Sequence, residues 1–149
     1  MHYKNLLFTT FFILFVFDSF SGNYASIKSK SNLRAGPGKQ YPIKWVLNIP
    51  NMPVKIIEKS RDYSKIELVD GTTGWIWNST ISNKKTLILE ESSYLFDEEN
   101  SRIAYLKKNV IVEKLKCNEL FFDHISCKVK IKDLKGYIKE EFLWGKKVN

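Results

Sequence analysis

The stretch Asn32–Pro42, NLRAGPGKQYP, concentrates turn-forming residues after a short apolar segment. Gly36 and Gly38 permit backbone angles that other residues avoid, and Pro37 between them stiffens the chain. Segments further along alternate apolar and charged residues, as SKIELV (residues 64–69) does. Such alternation predicts strands with one buried face. NLRAGPGKQYP is therefore interpreted as a long loop that follows a strand of a β-sheet.

A second series of short segments follows the first about 60 residues later. The first series reads IKWVL, PVKII, SKIEL and GWI, and the second reads IAYL, IVEKL, CKVKI and GYI. The clearest matching pair is Gly74–Ile76 with Gly136–Ile138. This pattern predicts an all-β chain of two small barrels in tandem, with domains at residues 22–87 and 88–149. Only Glu98–Lys108 is ambiguous, because it suits either a short helix or a turn before a strand.

The first 21 residues have the features of a targeting segment. Lys4 precedes Asn5–Phe17, an uncharged run of 13 residues. A membrane-spanning helix needs about 20 apolar residues, so this run predicts a signal peptide at residues 1–21, cleaved after Ser21. The alternative is an uncleaved anchor, which would be the chain's only expected link to a membrane. The expected location is periplasmic or secreted.

The two cysteines, Cys117 and Cys127, fit an exported chain. In an oxidising compartment an even pair at short range predicts a disulfide bond. A nucleophilic thiol is the alternative, but it would leave the second cysteine unexplained.

The positive charge is concentrated in the first half. Residues 22–87 hold nine lysines, two arginines and four acids, a net charge of +7. Residues 88–149 hold eleven lysines, one arginine and eleven acids, a net charge of +1. The positive electrostatic field of such a domain favours anionic partners, although a solvated surface without a partner can carry the same excess of lysine. Nucleic acid is not expected as a partner, since the chain is predicted to be exported.

The residues that catalysis requires are scarce. His124 is the only histidine after the signal segment, and no serine has the glycine neighbours of a nucleophile elbow. Two cysteines and one histidine do not supply a zinc site. The sequence therefore predicts a protein that is not an enzyme, with no metal and no cofactor.

The first series resembles the bacterial SH3-like (SH3b) domain. The residues that carry the resemblance are NLR, GPG, YP and WV, followed by PV, DG and GW. The resemblance is closest to exported tandem SH3b proteins of Gram-negative bacteria, whose second repeat has two cysteines and ends in LWG, as Leu143–Gly145 does here. Two tandem small SH3-like barrels are thus expected. Three departures are Tyr63 in the first repeat, where the family has tryptophan, the longer segment Asn118–Cys127, and Gly136–Tyr137 in place of the second Gly-Trp pair. The last two argue against a second tryptophan-lined groove.

The resemblance implies a non-catalytic module that recognises cell-wall peptide, peptidoglycan or extended peptides through an aromatic, basic groove. The alternative is a structural envelope protein that docks to a protein partner. The candidate ligand contacts are Tyr41, Arg34, Trp45, Tyr63, Trp75 and Trp77.

The candidates are not equivalent. Tyr41, beside the glycine-rich loop, is the best candidate for a ligand contact. Trp45 and Trp75 lie in alternating segments, which favours burial of one or both. Trp77 shares a face with Trp75 if the strand is regular. Arg34 either contacts the ligand or holds the loop by hydrogen bonds to its carbonyl groups.

Overall fold

A computed structural model describes residues 23–146 of the chain. The predicted signal segment lies outside the described residues. Within them the chain forms fourteen strands and two single-turn 3₁₀ helices. Those of the first half are β1 (Asn23–Ile27), β2 (Ser31–Arg34), β3 (Ile43–Leu47), β4 (Pro53–Lys59), β5 (Tyr63–Glu67), β6 (Thr73–Trp77), a 3₁₀ helix at Asn78–Thr80 and β7 (Ile81–Ser82). Those of the second half are β8 (Thr86–Leu89), β9 (Ser93–Phe96), β10 (Arg102–Leu106), β11 (Ile111–Phe121), β12 (His124–Ile131), β13 (Leu134–Lys139), a 3₁₀ helix at Glu140–Phe142 and β14 (Leu143–Trp144).

The strands make two antiparallel sheets of seven with the same topology. The first has the order β3-β2-β6-β5-β4-β1-β7, and the second has the order β10-β9-β13-β12-β11-β8-β14. Adding seven to each strand number converts the first order into the second. We call β1–β7 the first repeat and β8–β14 the second repeat. The prediction of an all-β chain with two tandem SH3-like units is confirmed. The boundary after residue 87 stays a prediction; the second sheet begins at Thr86.

Each repeat has its own apolar core, built by the alternation seen in the sequence. In β5, Ser64 and Ile66 are buried, whereas the alternating residues Tyr63, Lys65 and Glu67 are only partly buried. The core of the first repeat includes Ala25, Ile27, Leu33, Val54, Ile66, Leu68 and Ile76. The core of the second repeat includes Leu87, Leu89, Leu95, Leu106, Val112, Cys127, Val129, Ile138 and Leu143.

Hydrogen bonds and one aromatic contact join the two repeats. The Thr86 hydroxyl donates to the Asn51 carbonyl at 2.7 Å. The Ser26 hydroxyl donates to the carbonyl of Lys84, in the segment between the sheets, at 2.9 Å. The rings of Tyr24 and Trp144 meet edge to face. The repeats are therefore packed against each other as well as linked in sequence.

The ambiguous segment Glu98–Lys108 is a turn and a strand. The Asp97 carboxylate accepts hydrogen bonds from the backbone N–H groups of Glu99 (3.1 Å) and Ser101 (2.8 Å). Asn100 takes a left-handed conformation with φ of 63°, which asparagine tolerates better than most residues. These features close a tight turn and send the chain into β10.

Candidate functional site

The glycine-rich loop after β2 is held by Arg34. Its Nη1 atom donates to the carbonyl of Tyr41 at 2.8 Å and to the carbonyl of Lys39 at 3.2 Å. The tyrosine ring lies directly over Gly36, where a Cβ atom would come within 2.5 Å of the ring carbon Cδ1. Of the two roles considered for Arg34, the structure shows the bonds to the loop carbonyls.

A cleft of about 340 Å³ opens on the outer face of the first repeat beside this loop. Tyr63 and Trp77 are cross-strand partners on β5 and β6 and form its aromatic part. The Trp77 side chain is 49% exposed, and Lys39 Nζ lies 5.5 Å from the centre of its ring. Three cations and no acid are among the lining residues, which include Lys30, Asn32, Arg34, Lys39, Tyr63 and Trp77. The cleft can therefore offer a flat apolar surface and positive charge to one ligand.

The structure separates the six candidate ligand contacts into two groups. Arg34, Tyr63 and Trp77 line the cleft. Tyr41 is exposed, as expected, but its ring packs on Gly36 and is not part of the lining.

Trp45 and Trp75, for which burial of one or both was expected, differ in their exposure to solvent. Trp75 is only 9% exposed, so little of its ring is accessible to a ligand. The expected burial of one or both tryptophans is met by Trp75 alone, and Trp45 is 62% exposed. The physical reason is that β3 is the last strand at one end of its sheet, so no further strand covers the side chain.

Five lining residues were not among the candidates: Lys30, Ser31, Asn32, Lys39 and Thr80. Asn32 lies two residues before Arg34 on β2, so alternation places both on one face, and this signal was available in the sequence. Lys30 precedes β2, and Lys39 follows the two glycines of the loop. The place of Lys39 over Trp77 depends on how that loop folds back, which the residue pattern does not specify.

The equivalent face of the second repeat has different side chains. The strand register places Phe96, Ser126 and Lys139 where the first repeat has Arg34, Tyr63 and Trp77. Tryptophan is thus absent from these described positions of the second repeat.

The long β11–β12 hairpin covers part of this face. Phe121, near its end, stacks on Tyr137 with ring centroids 4.0 Å apart and an angle of 7° between the planes. Tyr137 is the counterpart of Trp75. A smaller cleft of about 250 Å³ remains there, lined in part by Phe96, Phe122 and Lys139.

Cys117 and Cys127 form a disulfide bond, as predicted. The bond joins β11 to β12, and Cys127 is fully buried in the core of the second repeat. The disulfide therefore cross-links the two strands of the hairpin, and Cys127 packs this part of the hairpin into the core.

Metal-binding and membrane-spanning features are not found in residues 23–146. No group of three or more His, Cys, Asp and Glu side chains lies close enough there to hold a metal ion. His124 Nε2 is paired with the Asp123 carboxylate at 3.2 Å. In that same part of the chain, no helix combines the length and apolarity needed to cross a bilayer.

Comparison with known proteins gives the class of the first repeat. Residues 29–82 match the family model described as a bacterial SH3 domain. This match spans β2 to β7 and includes the glycine-rich loop and the cleft. The match assigns residues 29–82, within the first repeat, to the bacterial SH3 domain family.

Two solved structures are similar to the chain at low identity. The structure of NlpC2 from Trichomonas vaginalis is 12% identical to the chain, with a TM-score of 0.39. The match covers 82% of this chain and 47% of the NlpC2 chain. The structure of NlpC1 from the same organism is 13% identical with a TM-score of 0.35, covering 82% and 45%. The chain thus spans less than half the length of either protein, and similarity at this level gives no indication of function. No curated protein sequence matches the chain.

Proposed function

We propose that the chain is a non-catalytic binding module of the bacterial envelope whose first repeat holds cell-wall peptide. The observation that carries the proposal is the open cleft in which Trp77 and Tyr63 lie beside the cations Lys30 and Lys39. Arg34 is occupied by the loop carbonyls, so the two lysines are the cations free to meet a ligand. An extended peptide with carboxylate groups matches both the aromatic surface and the charge.

The role of the signal segment and of the disulfide fits this proposal. Export would bring the chain to the periplasm or outside the cell, where a disulfide such as Cys117–Cys127 persists. There the module would meet the cell wall and no nucleic acid. In this proposal the protein has neither a catalytic group nor a cofactor, and it acts by holding its ligand.

The test is retention on isolated peptidoglycan sacculi, using the chain without residues 1–21. We expect retention at low salt, partly reduced at high salt, since the lysine contacts are screened and the aromatic contacts are not. Trp77→Ala should lose most of the retention. Trp45→Ala is the matched control, because Trp45 is also open to solvent, even more so than Trp77, but lies outside the cleft. Equal retention of all three proteins would contradict the proposal.

A structural envelope protein that docks to a protein partner is the second candidate function. It is favoured by the end strand β3, on which Ile43, Trp45 and Val46 are all exposed. An end strand has unpaired backbone groups to which an extended segment of a partner can add. Here Trp45→Ala, and not Trp77→Ala, should reduce co-purification of the partner, so the same pair of variants separates the two functions.

A further inference from the structure

The end of the β11–β12 hairpin, residues 120–123, exposes apolar side chains beside an acid. Leu120 is 73% exposed and Phe122 is 60% exposed. The side chain of Asp123, the next residue, is 80% exposed. We call residues 120–123 the apex. Apolar groups this open on a domain surface commonly mark a contact with another molecule.

The apex is held in a defined place. Between the base of the hairpin and the apex, the disulfide Cys117–Cys127 joins β11 to β12. Between Leu120 and Phe122, the ring of Phe121 stacks on Tyr137 and anchors the apex to β13. Phe122 takes a left-handed turn conformation, with φ of 53°, which directs the chain back into β12. A fixed apex loses less conformational entropy on binding than a mobile loop.

The cleft of the first repeat has the complementary chemistry. It presents Trp77 and Tyr63 to an apolar group and Lys30 and Lys39 to an acid, with no acid of its own among the lining residues. Both halves of the chain carry a net positive charge, +7 for the half with the cleft and +1 for the half with the apex, so the complementary charge is the local one of Asp123 against Lys30 and Lys39. Aromatic pairs and opposite charges both favour this contact.

We propose that the apex of one chain enters the cleft of a second copy, placing Phe122 against Trp77 and Asp123 beside Lys39. Each copy has one apex and one cleft, so the contact is head-to-tail and extends to short chains or a ring at high concentration. It uses the cleft of the proposed function, so self-association and cell-wall binding compete. It does not require that cell-wall peptide be the ligand of that cleft.

Asp123 also argues against a lipid bilayer as the binding partner of the apex. A lipid bilayer would accept Leu120 and Phe122, but a carboxylate next to them is costly to bring into its apolar core. The acid therefore favours a basic protein surface over a membrane. Vesicles of phosphatidylglycerol provide the direct comparison.

The test is sedimentation velocity of the chain without residues 1–21 over a range of concentrations, at low and high salt. We expect the mean sedimentation coefficient to rise with concentration, and to rise less at high salt. Phe122→Ser and Trp77→Ala should each remain monomeric. An equimolar mixture of these two variants should form a one-to-one dimer, because one retains the cleft and the other retains the apex. Asp123→Asn should weaken association about two- to fivefold, as expected for an exposed charge pair.

Leu134→Ser is the matched control, since Leu134 is an exposed apolar residue of the second repeat outside the apex. It should associate like the unmodified chain. A monomer at every concentration, association that survives Phe122→Ser, or a mixture that fails to pair would each overturn the proposal. So would binding of the apex to the vesicles without self-association. Phe122→Ser should bind sacculi at least as well as the unmodified chain, so loss of wall binding alone would refute the proposed function and leave this inference standing.

Discussion

The ring of Tyr24 meets the ring of Trp144 edge to face, with centroids 5.2 Å apart and an angle of 88° between the planes. The contact joins β1, the first strand of the first repeat, to β14, the last strand of the second. Burial raises the pKa of the Tyr24 hydroxyl, although the charge of Lys55 opposes that shift. The two repeats therefore share an aromatic contact that neither has alone.

Trp144→Ala should weaken the coupling between the repeats. We expect a loss of roughly 0.5–1.5 kcal/mol for the aromatic pair beyond the apolar area removed. Calorimetry should then show two thermal transitions in place of one. Trp144→Phe, which keeps a ring at this position, is the control and should retain a single transition. One transition at an unchanged temperature in the alanine variant would contradict a coupling role.

Gly74→Val should unfold or severely destabilise the first repeat. A Cβ atom at Gly74 would lie 2.6 Å from Leu33 Cγ and 2.9 Å from the Arg34 carbonyl oxygen, so a core side chain and a backbone atom would both have to move. Overpacking of this kind costs about 1–3 kcal/mol and sometimes more. Urea unfolding measures the loss. Thr73→Val, which keeps a β-branched side chain next to Gly74 and creates no such clash, should change little. A similar effect of both substitutions would refute the explanation.

Replacing both cysteines by alanine should destabilise the second repeat. Loss of a cross-link that closes a ten-residue loop costs roughly 3 kcal/mol in the chain-entropy model, and the buried Cys127 adds a small packing loss. Denaturation with and without a reducing agent measures the effect. The double variant should be insensitive to the reducing agent, whereas the unmodified chain should lose stability. A titre of two free thiols in the denatured, unreduced chain would contradict the bond.

Asp70 should make stability fall in acid. The Thr72 N–H donates to its carboxylate at 2.9 Å and holds the pKa of Asp70 below its ordinary value. A lowered folded-state pKa means that the contribution is present above the unfolded pKa of about 3.9 and is lost as the pH falls through the folded value. Because Asp70 is exposed, the contribution should be well under about 1 kcal/mol.

Urea unfolding of Asp70→Asn at neutral pH and at about pH 2–3 tests this sign. The variant should differ from the unmodified chain at neutral pH and match it in acid. Asp133→Asn, at an exposed carboxylate of the second repeat, provides the comparison. A larger difference in acid than at neutral pH would show that the sign is wrong.

Tyr41→Ala should reduce retention on sacculi less than Trp77→Ala does. Its ring supports the loop that carries Lys39, so its loss acts on the cleft through the position of that lysine. The backbone carbonyl that Arg34 binds remains in the variant. Retention measured side by side decides between this indirect role and direct contact, because direct contact would make Tyr41→Ala as severe as Trp77→Ala.

The features that could be predicted are those set by residues close together in the sequence. Alternation placed Ile66 in the core, and the glycine-rich stretch marked the loop beside the cleft. Features that depend on strand order were not predictable in this way. Trp45 has the same alternating surroundings as Trp75, yet it is open because β3 is the end strand of its sheet. The stacking of Phe121 on Tyr137 joins strands that only the folded hairpin brings together.

The hairpin of the second repeat is held in two ways, by packing of Cys127 in the core and by the disulfide bond. Cys127 can be buried by packing alone, since the reduced side chain and the disulfide-bonded side chain fill nearly the same space in the core. Fixing the hairpin needs an oxidant as well. A chain that has folded but not yet been oxidised would therefore hold its apex by backbone hydrogen bonds and ring stacking only. The proposed head-to-tail contact would then be weaker before oxidation than after it.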